Sequence, residues 1–273
     1  MSIKLFLQQT KRRVNKYAYL HWGVIFFNGT FSSGNYQALK EDLKKLQEQS
    51  LTSDLKFPVT VLYPCYVDKK DNAGELMLHY FSQDLFVAQQ IYKNQPQRHI
   101  DIGSRIDGFV AHVASFREIE VFDIRPLEIS IPNVTFTQAD LMNLDEKNYE
   151  CTDSVSCLHA LEHFGLGRYG DPICFDGYSI GFKNVTLLLK KGGKLYFSVP
   201  MGEQRIEFHA HRVFSLNYLL ALVTENFSID SFSYVNDKNI FYSNINLSGL
   251  SKAEMDNNLG CHFGCAIFVL TKK

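Results

Sequence analysis

Two clusters of titratable side chains in this chain have the makings of proton-transfer chemistry. His159, Glu162 and His163 stand just before the glycine-rich stretch GLGRYGDP, and Glu203, Arg205, Glu207, His209, His211 and Arg212 follow Pro200. An imidazole titrates near neutral pH, so these histidines suit a general base that takes a proton from a hydroxyl. His163 is the first candidate, with His209 and His211 as alternatives. The last two alternate in an extended pattern, so only one of them is expected to face a pocket. His159, nearest the preceding strand, is expected to touch a cofactor. Glu162 is expected to orient His159, to cap the loop or to meet the substrate. Arg168 and Tyr169 of the glycine-rich stretch join Arg205 and Arg212 as candidate substrate contacts, the arginines having a fork that grips phosphate or carboxylate.

A second set of residues runs from Arg98 to Asp140. A short apolar strand ends in Asp101, and a turn with Gly103 and Gly108 leads into an apolar-rich helix. The next strand ends in Asp123, and a third segment ends in Asp140. An α/β sheet builds nucleoside pockets at the carboxyl ends of its strands in this way, with the acid after the second strand accepting ribose hydroxyls. A nicotinamide dinucleotide requires Gly-x-Gly-x-x-Gly to seat its pyrophosphate. Here Arg105 stands at the second glycine, and Asp101 and Asp107 put negative charge where phosphates would lie. A cofactor with a cationic centre and an amino-acid tail fits better, which points to S-adenosylmethionine. Asp101 is then expected to face the ammonium directly or through water, the backbone of Gly103 and Ser104 to meet the tail, and Asp123 to hold the ribose. Arg105 is expected to pair with Asp107 or Asp123, or to reach the cofactor's carboxylate.

These residues need a scaffold, and the pattern supplies one. From Tyr80 onward strands and helices alternate: HYFSQDLFVAQQIYKNQ as a helix with Phe81, Leu85, Ala88 and Ile91 or Tyr92 on one face, then HIDI, GFVAHVASF, EIEVFDI, VTFTQAD and DSVSCLHAL. GYSIGFKNVTLLLKKGG is a helix stopped by its Gly pair, followed by strand KLYFSVP, helix SLNYLLALVTENF and strands FSIDSFSYV and CAIFVLTKK. The fold class expected is α/β: a doubly wound, mostly parallel seven-stranded sheet of Rossmann-like type, covered on both faces, with an antiparallel C-terminal hairpin. Residues 1–79 read as an N-terminal cap and 80–273 as the main domain. Within the cap Leu39, Leu43 and Leu46 recur at helical spacing, FPVTVLYPCYVD reads as extended, and the basic-aromatic start is also suited to a membrane surface or an anionic substrate.

This order of motifs resembles the class I S-adenosylmethionine-dependent methyltransferases over residue 80 to the C-terminus. IDIGSRIDG is similar to their first motif, VFDI to the acid-ended second strand, and TQADLMNL to the segment whose acid, here Asp140, approaches the adenine amino group. SVSCLHALEHFG is similar to the fourth strand and its loop, and LKKGGKLYFSVP to the fifth strand. The wording YFSQDLFVA, HIDIGSRIDGFVAHV, VFDIRPL, LEHFGLGRYGDP and HAHRVF is similar to a bacterial family of unknown function found among surface-polysaccharide enzymes. The resemblance implies methyl transfer to a hydroxyl of a sugar, nucleotide-sugar or glycan intermediate. Arg105 departs from the small residue usual in the first motif, which leaves a cofactor-degenerate binding or scaffold protein as the rival reading. Another sugar-modifying or glycosyl-transferring enzyme would need a nucleotide-diphosphate grip that the sequence does not offer.

Composition narrows the field. A formal net charge of -1 over 273 residues gives no electrostatic case for nucleic acid. No apolar run reaches the length of a membrane span. The start MSIKLFLQQTKRR has its basic cluster after the apolar residues and no small-residue cleavage site, unlike a secretory signal. Six cysteines without framework spacing read as reduced thiols and a cytoplasmic setting. Cys261 and Cys265 are expected to be buried near the start of a strand rather than metal ligands. Asp140, Asp171 and Asp176 form no recognisable metal pattern, so metal-free chemistry is expected. The sequence leaves the oligomeric state open.

Overall fold

The computed structural model describes residues 33–52 and 78–273. The chain divides into two units, Met1–Glu75 and Leu76–Lys273, and each is taken by itself. In the first, helix α1 (Ser33–Ser50) half-buries Leu39 and Leu43 and leaves Leu46 exposed. The basic-aromatic start of the cap and its FPVTVLYPCYVD segment lie outside the described residues.

The second unit opens with α2 (Leu78–Asn94), then β1 (His99–Ile102), an irregular turn over Ile106–Val110 and the short α3 (Ala111–Ala114). Strands β2 (Ile119–Asp123), β3 (Val134–Gln138) and β4 (Thr152–Leu158) follow, then α4 (Gly177–Leu188) and β5 (Leu189–Met201). A ribbon of β6 (Arg205–Glu207) and β7 (His211–Val213) precedes α5 (Leu216–Asn226), β8 (Phe227–Val235), β9 (Phe241–Tyr242), α6 (Lys252–Asp256) and β10 (Gly264–Lys272). The main sheet runs in the order β3-β2-β1-β4-β5-β10-β8-β9. Its first five strands are parallel, while β10 runs antiparallel to both β5 and β8. This is a doubly wound α/β sheet, and its direction of winding reverses between β1 and β4. Ligands bind in the crevice outside the carboxyl ends of strands at such a point.

Alternation along the strands feeds two cores, one on each face. Leu195 and Phe197 of β5 and Phe268 of β10 pack with Phe182 and Val185 of α4 and Leu219 of α5. Tyr196, Ile267 and Val269 point the other way and pack with Val87, Ala88 and Ile91 of α2 and Phe109 and Val113 near α3. Polar residues are buried among the strands too: His99, Asp101, Ser154, Ser156, Ser198 and Ser233 are each at most 2% exposed. Such groups remain inside because they bond to one another.

The structure departs from the sequence reading at four places. The sheet has eight strands, not seven, and a separate two-stranded ribbon. The expected antiparallel pairing of β8 with β10 forms, but its connection carries β9 and α6. Helix α4 ends at Leu188, because Leu189 is already extended; the Gly pair lies in an irregularity of β5 where its register with β4 shifts. Finally, α2 does not bury the face that its largest apolar residues mark. Phe81 and Leu85 are 39% and 38% exposed, whereas Gln83 and Asp84 are buried at 1% and 7%.

Candidate functional site

At the end of β1, Asp101 is fully buried. Its carboxylate accepts from the Ser104 N–H at 3.0 Å, the Ser104 hydroxyl at 2.8 Å and the Ser156 hydroxyl at 2.6 Å. Ser156 also lies 3.1 Å from His99 Nε2, whose other nitrogen lies 2.8 Å from the Ser154 hydroxyl. Burial drives the His99 pKa down to about 3 and pushes the Asp101 carboxyl up to about 6. His99 is thus a neutral link, and a hydrogen-bonded chain ties β4 to the turn after β1. These bonds hold Asp101 beneath the turn, and it is not among the residues that line the cavities described below. Asp101 holds the turn; Gly103, at φ +68°, and Ser104 line the space above it.

One cavity of about 560 Å³, open to solvent, is lined by Gly103, Phe122, Asp123, Asp140, His159 and Tyr169, among others. Asp123 ends β2 as expected, yet Arg125 holds it. The Arg125 backbone N–H and Nε donate to Oδ1 at 2.9 and 3.0 Å, and Nη2 donates to Oδ2 at 2.7 Å. The same guanidinium lies 4.5 Å from the centre of the Tyr169 ring. Asp140 accepts from the Met142 N–H at 2.8 Å while lining the cavity. Arg105 pairs with Asp107 at 2.8 Å in solvent, the two side chains being 69% and 74% exposed. It therefore leaves the turn open.

A second cavity adjoins the first. His79, Tyr80, His159, His163, His209 and His211 all line it. His159 ends β4 with φ +49°, a left-handed conformation that a non-glycine residue adopts at a cost. Its N–H donates to the Ser198 carbonyl at 3.0 Å. Both ring nitrogens are engaged, Nδ1 with Glu162 at 2.9 Å and Nε2 with the Cys265 sulfur at 3.2 Å. Burial opposes a charged ring there, but Cys265 and Glu162 together pull its pKa well above the ordinary value. Burial alone would raise Glu162, yet the His159 and His163 imidazoles hold it below the ordinary carboxylate range. Glu162 Oε2 is buried without a hydrogen-bond partner among the described residues.

His163 differs from His159 in the way that matters for base chemistry. Its Nδ1–H donates to the Ala210 carbonyl at 2.6 Å, which fixes the tautomer and leaves Nε2 bare. That nitrogen lies 3.7 Å from Glu162 Oε1. Burial lowers its pKa, against the pull of Glu162, so the ring is held neutral. His163 lines both cavities. His209 sits at the exposed tip of the ribbon at φ +66°. His211 is half-buried, with Nε2 3.1 Å from Glu207 Oε2. Both line the second cavity, whereas only one was expected to face a pocket.

The arginines divide. Arg168 is exposed on the second cavity, donating to the Ala210 carbonyl at 3.0 Å. Arg212, by contrast, is buried and donates to the carbonyls of Phe164 at 2.6 Å and Phe175 at 2.9 Å. Arg205 donates to Glu207 at 2.9 Å and to the carbonyls of Glu203 and His262. Neither Arg205 nor Arg212 is among the residues that line these cavities. The glycine-rich loop is organised by Asp171, which accepts from the N–H groups of Gly165, Gly167 and Tyr169. Cys261 and Cys265 are buried free thiols. Among the described residues no group of three or more His, Cys, Asp or Glu side chains is placed to hold a metal ion, and no helix is long and apolar enough to cross a membrane.

The sequence reading missed Tyr80, Gln83 and Asp84 on α2 and Arg125 after β2. The available signal was the spacing of Gln83 and Asp84 with Val87, Ala88 and Ile91, which puts the polar pair on a buried helix face.

A family model described as "Caenorhabditis protein of unknown function, DUF268" matches residues 128–259. That description carries a genus where the resemblance implied a bacterial family, and it names no polysaccharide association. No curated protein matches the sequence. Among solved structures, the chain is similar to the N-methyltransferase NodS from Bradyrhizobium japonicum WM9 in complex with S-adenosyl-L-homocysteine. The identity is 14%, the TM-score 0.47, and 87% of this chain and 98% of that one are covered. A 1,6-didemethyltoxoflavin-N1-methyltransferase from Burkholderia thailandensis is similar at 12% identity and TM-score 0.48, over 90% and 93% of the two chains. The [4+2]-cyclase SpnF is similar at 13% identity and TM-score 0.44, over 64% and 75%. These are likenesses of chain path at low identity, and the chemistry of the site is taken from its own residues.

Proposed function

We propose that this chain is an S-adenosylmethionine-dependent methyltransferase that acts on a hydroxyl of a sugar, nucleotide-sugar or glycan intermediate in the cytoplasm. The observation that carries the reading is the bare Nε2 of His163 on the wall common to both cavities, beside the buried Glu162 carboxylate. The donor set of the first cavity fits this cofactor: Asp123 suits a ribose diol, Asp140 an adenine amino group, and the carboxylates disfavour a pyrophosphate. Bound there, the cofactor supplies a methyl group already activated on a sulfonium. The chain then has to align an acceptor oxygen, exclude water and remove one proton. His163 Nε2 takes that proton, and Glu162 stabilises the imidazolium that forms. His159, engaged at both nitrogens, shapes the wall between the cavities. Arg168, His209 and His211 face the acceptor.

The pairing of Arg125 with Asp123 favours a second reading, a pocket closed to ligand. Arg125 is half exposed while Asp123 is only 13% exposed, and the guanidinium grips both carboxylate oxygens, so a ribose diol has to compete with Arg125 for Asp123. Titration calorimetry of the full chain with S-adenosylmethionine and S-adenosylhomocysteine separates the two. Binding of either supports the transferase, and no heat with the folded protein overturns it. Labelled methyl donor incubated with extracts of the producing cell then identifies the acceptor.

A further inference from the structure

Helix α2 places Asp84 at the mouth of the turn between β1 and α3, together with Tyr80 and Gln83. Asp84 is buried, with 7% of the residue exposed. Oδ1 accepts from Gln83 Nε2 at 2.9 Å. Gln83 is fixed in turn, since its Oε1 accepts from the Ser198 hydroxyl. Oδ2 has no such partner among the described residues and lies where a Cβ added to Gly108 would meet it at 3.0 Å. It faces the space lined by Gly103, Ser104, Arg105 and Gly108.

A buried carboxylate stays charged only against a cation or a set of donors. The cationic groups around Asp84 are His112, His159 and Arg105, and each is engaged elsewhere. Arg105 holds Asp107, His159 lies between Glu162 and Cys265, and His112 Nδ1 lies 2.8 Å from the Gly108 carbonyl. Asp101 lies close enough for its charge and that of Asp84 to oppose each other. Burial also pushes the Asp84 carboxyl above the ordinary range. The turn therefore has an excess of negative charge, and one carboxylate oxygen is open to the cavity.

We infer that Asp84, from the helix before the first strand, binds the ammonium group of the cofactor's amino-acid tail, while Asp101 beneath it is a positioning residue. The inference rests on the methyltransferase reading. It assigns cation recognition to a residue outside the strand-turn-helix motif and makes Gly108 the point where the chain must lack a side chain to leave Oδ2 accessible.

The test is a binding cycle read by calorimetry on the full chain. The probes are S-adenosylhomocysteine, its deaminated analogue and 5′-methylthioadenosine, which lacks the whole tail. Asp84→Asn keeps the shape and removes the charge. It should weaken S-adenosylhomocysteine by about 10- to 100-fold and leave 5′-methylthioadenosine unchanged. The deaminated analogue should bind wild type as weakly as S-adenosylhomocysteine binds the variant, with no further loss when the two changes are combined. Equal affinity of variant and wild type for S-adenosylhomocysteine overturns the inference, as does equal weakening of all three probes. If the variant does not fold, the wild type alone decides: a deaminated analogue that binds as tightly as S-adenosylhomocysteine overturns it. Wild type that binds no probe overturns the methyltransferase reading itself, a distinct failure.

Discussion

Replacing Asp101 by Asn tests whether the carboxylate beneath the turn is held in place against its own desolvation. Burial moves its carboxyl from an ordinary 3.8 up to about 6, opposed by the bonds from Ser156 and Ser104. Between those two values the native chain binds more protons than the unfolded one. The contribution of this group to stability is therefore fully present below the unfolded value of 3.8 and is lost as the pH rises through about 6. At about 1.36 kcal/mol per unit the whole change is about 3 kcal/mol, of which about 2 kcal/mol falls between about pH 4.5 and 7.5. Asparagine does not ionise and carries none of this slope. It has a separate, constant cost, because an amide offers one acceptor oxygen where the carboxylate offers two. At least one donor from Ser104 or Ser156 loses its partner, at about 1–3 kcal/mol. The assay is urea unfolding of both proteins across a pH series, and subtraction cancels the titrating groups they share. The stability of wild type minus that of the variant should fall by about 2 kcal/mol from about pH 4.5 to 7.5. A flat difference, or one that rises with pH, refutes the reasoning and means that the three hydrogen bonds outweigh burial.

Other perturbations address the site directly. His163→Ala should cut turnover by about 10²–10⁴-fold with cofactor affinity near wild type; full activity would remove histidine base catalysis at this position. Because burial lowers the His163 pKa, the wild-type rate should rise with pH around a midpoint below the ordinary 6.5 of histidine, and a midpoint above it contradicts a base held neutral. Asp123→Ala should weaken S-adenosylhomocysteine by about 1.5–3 kcal/mol; unchanged affinity on calorimetry removes Asp123 from the site. Gly165→Ala should destabilise by well over about 1 kcal/mol, because its φ is +77° and a Cβ would stand 2.0 Å from the Cys174 carbonyl oxygen. A thermal melt that does not shift would contradict that placement.

The parallel half of the sheet was legible where the short apolar strands β1 and β2 run into Gly103 and Asp123 and where Asp140 follows β3. Asp101, Asp123 and Asp140 announce strand ends whichever ligand is bound. The direction in which an acid points is a different matter. Asp101 turns inward because Ser104 and Ser156 lie within reach, and no local pattern reveals a partner on β4. Helix α2 misled for a related reason. Apolar periodicity assumes that the wettest face is outside, whereas this helix packs Gln83 and Asp84 over Ser198 and leaves Phe81 and Leu85 partly in solvent. The ribbon of β6 and β7 has three-residue strands, too short for alternation to register, so Arg205 and Arg212 read as free cations when both are committed to carbonyls. Only contacts across the fold distinguish Arg168, which faces the cavity, from Arg212, which does not.

Beside the second cavity, two stretches of chain are laced together. From residues 163–175 come His163, Arg168 and the carbonyls of Phe164 and Phe175, and from the ribbon come the Ala210 carbonyl and Arg212. Neither stretch satisfies its own polar groups without the other. The practical unit of inheritance is thus the pair, although residues 176–204 separate its halves in sequence. A loop transplanted alone from a relative with another acceptor would arrive with its carbonyls and guanidinium unmatched. Exchange of specificity by recombination should therefore succeed only when both crossovers are made together, and the two stretches should record one shared history.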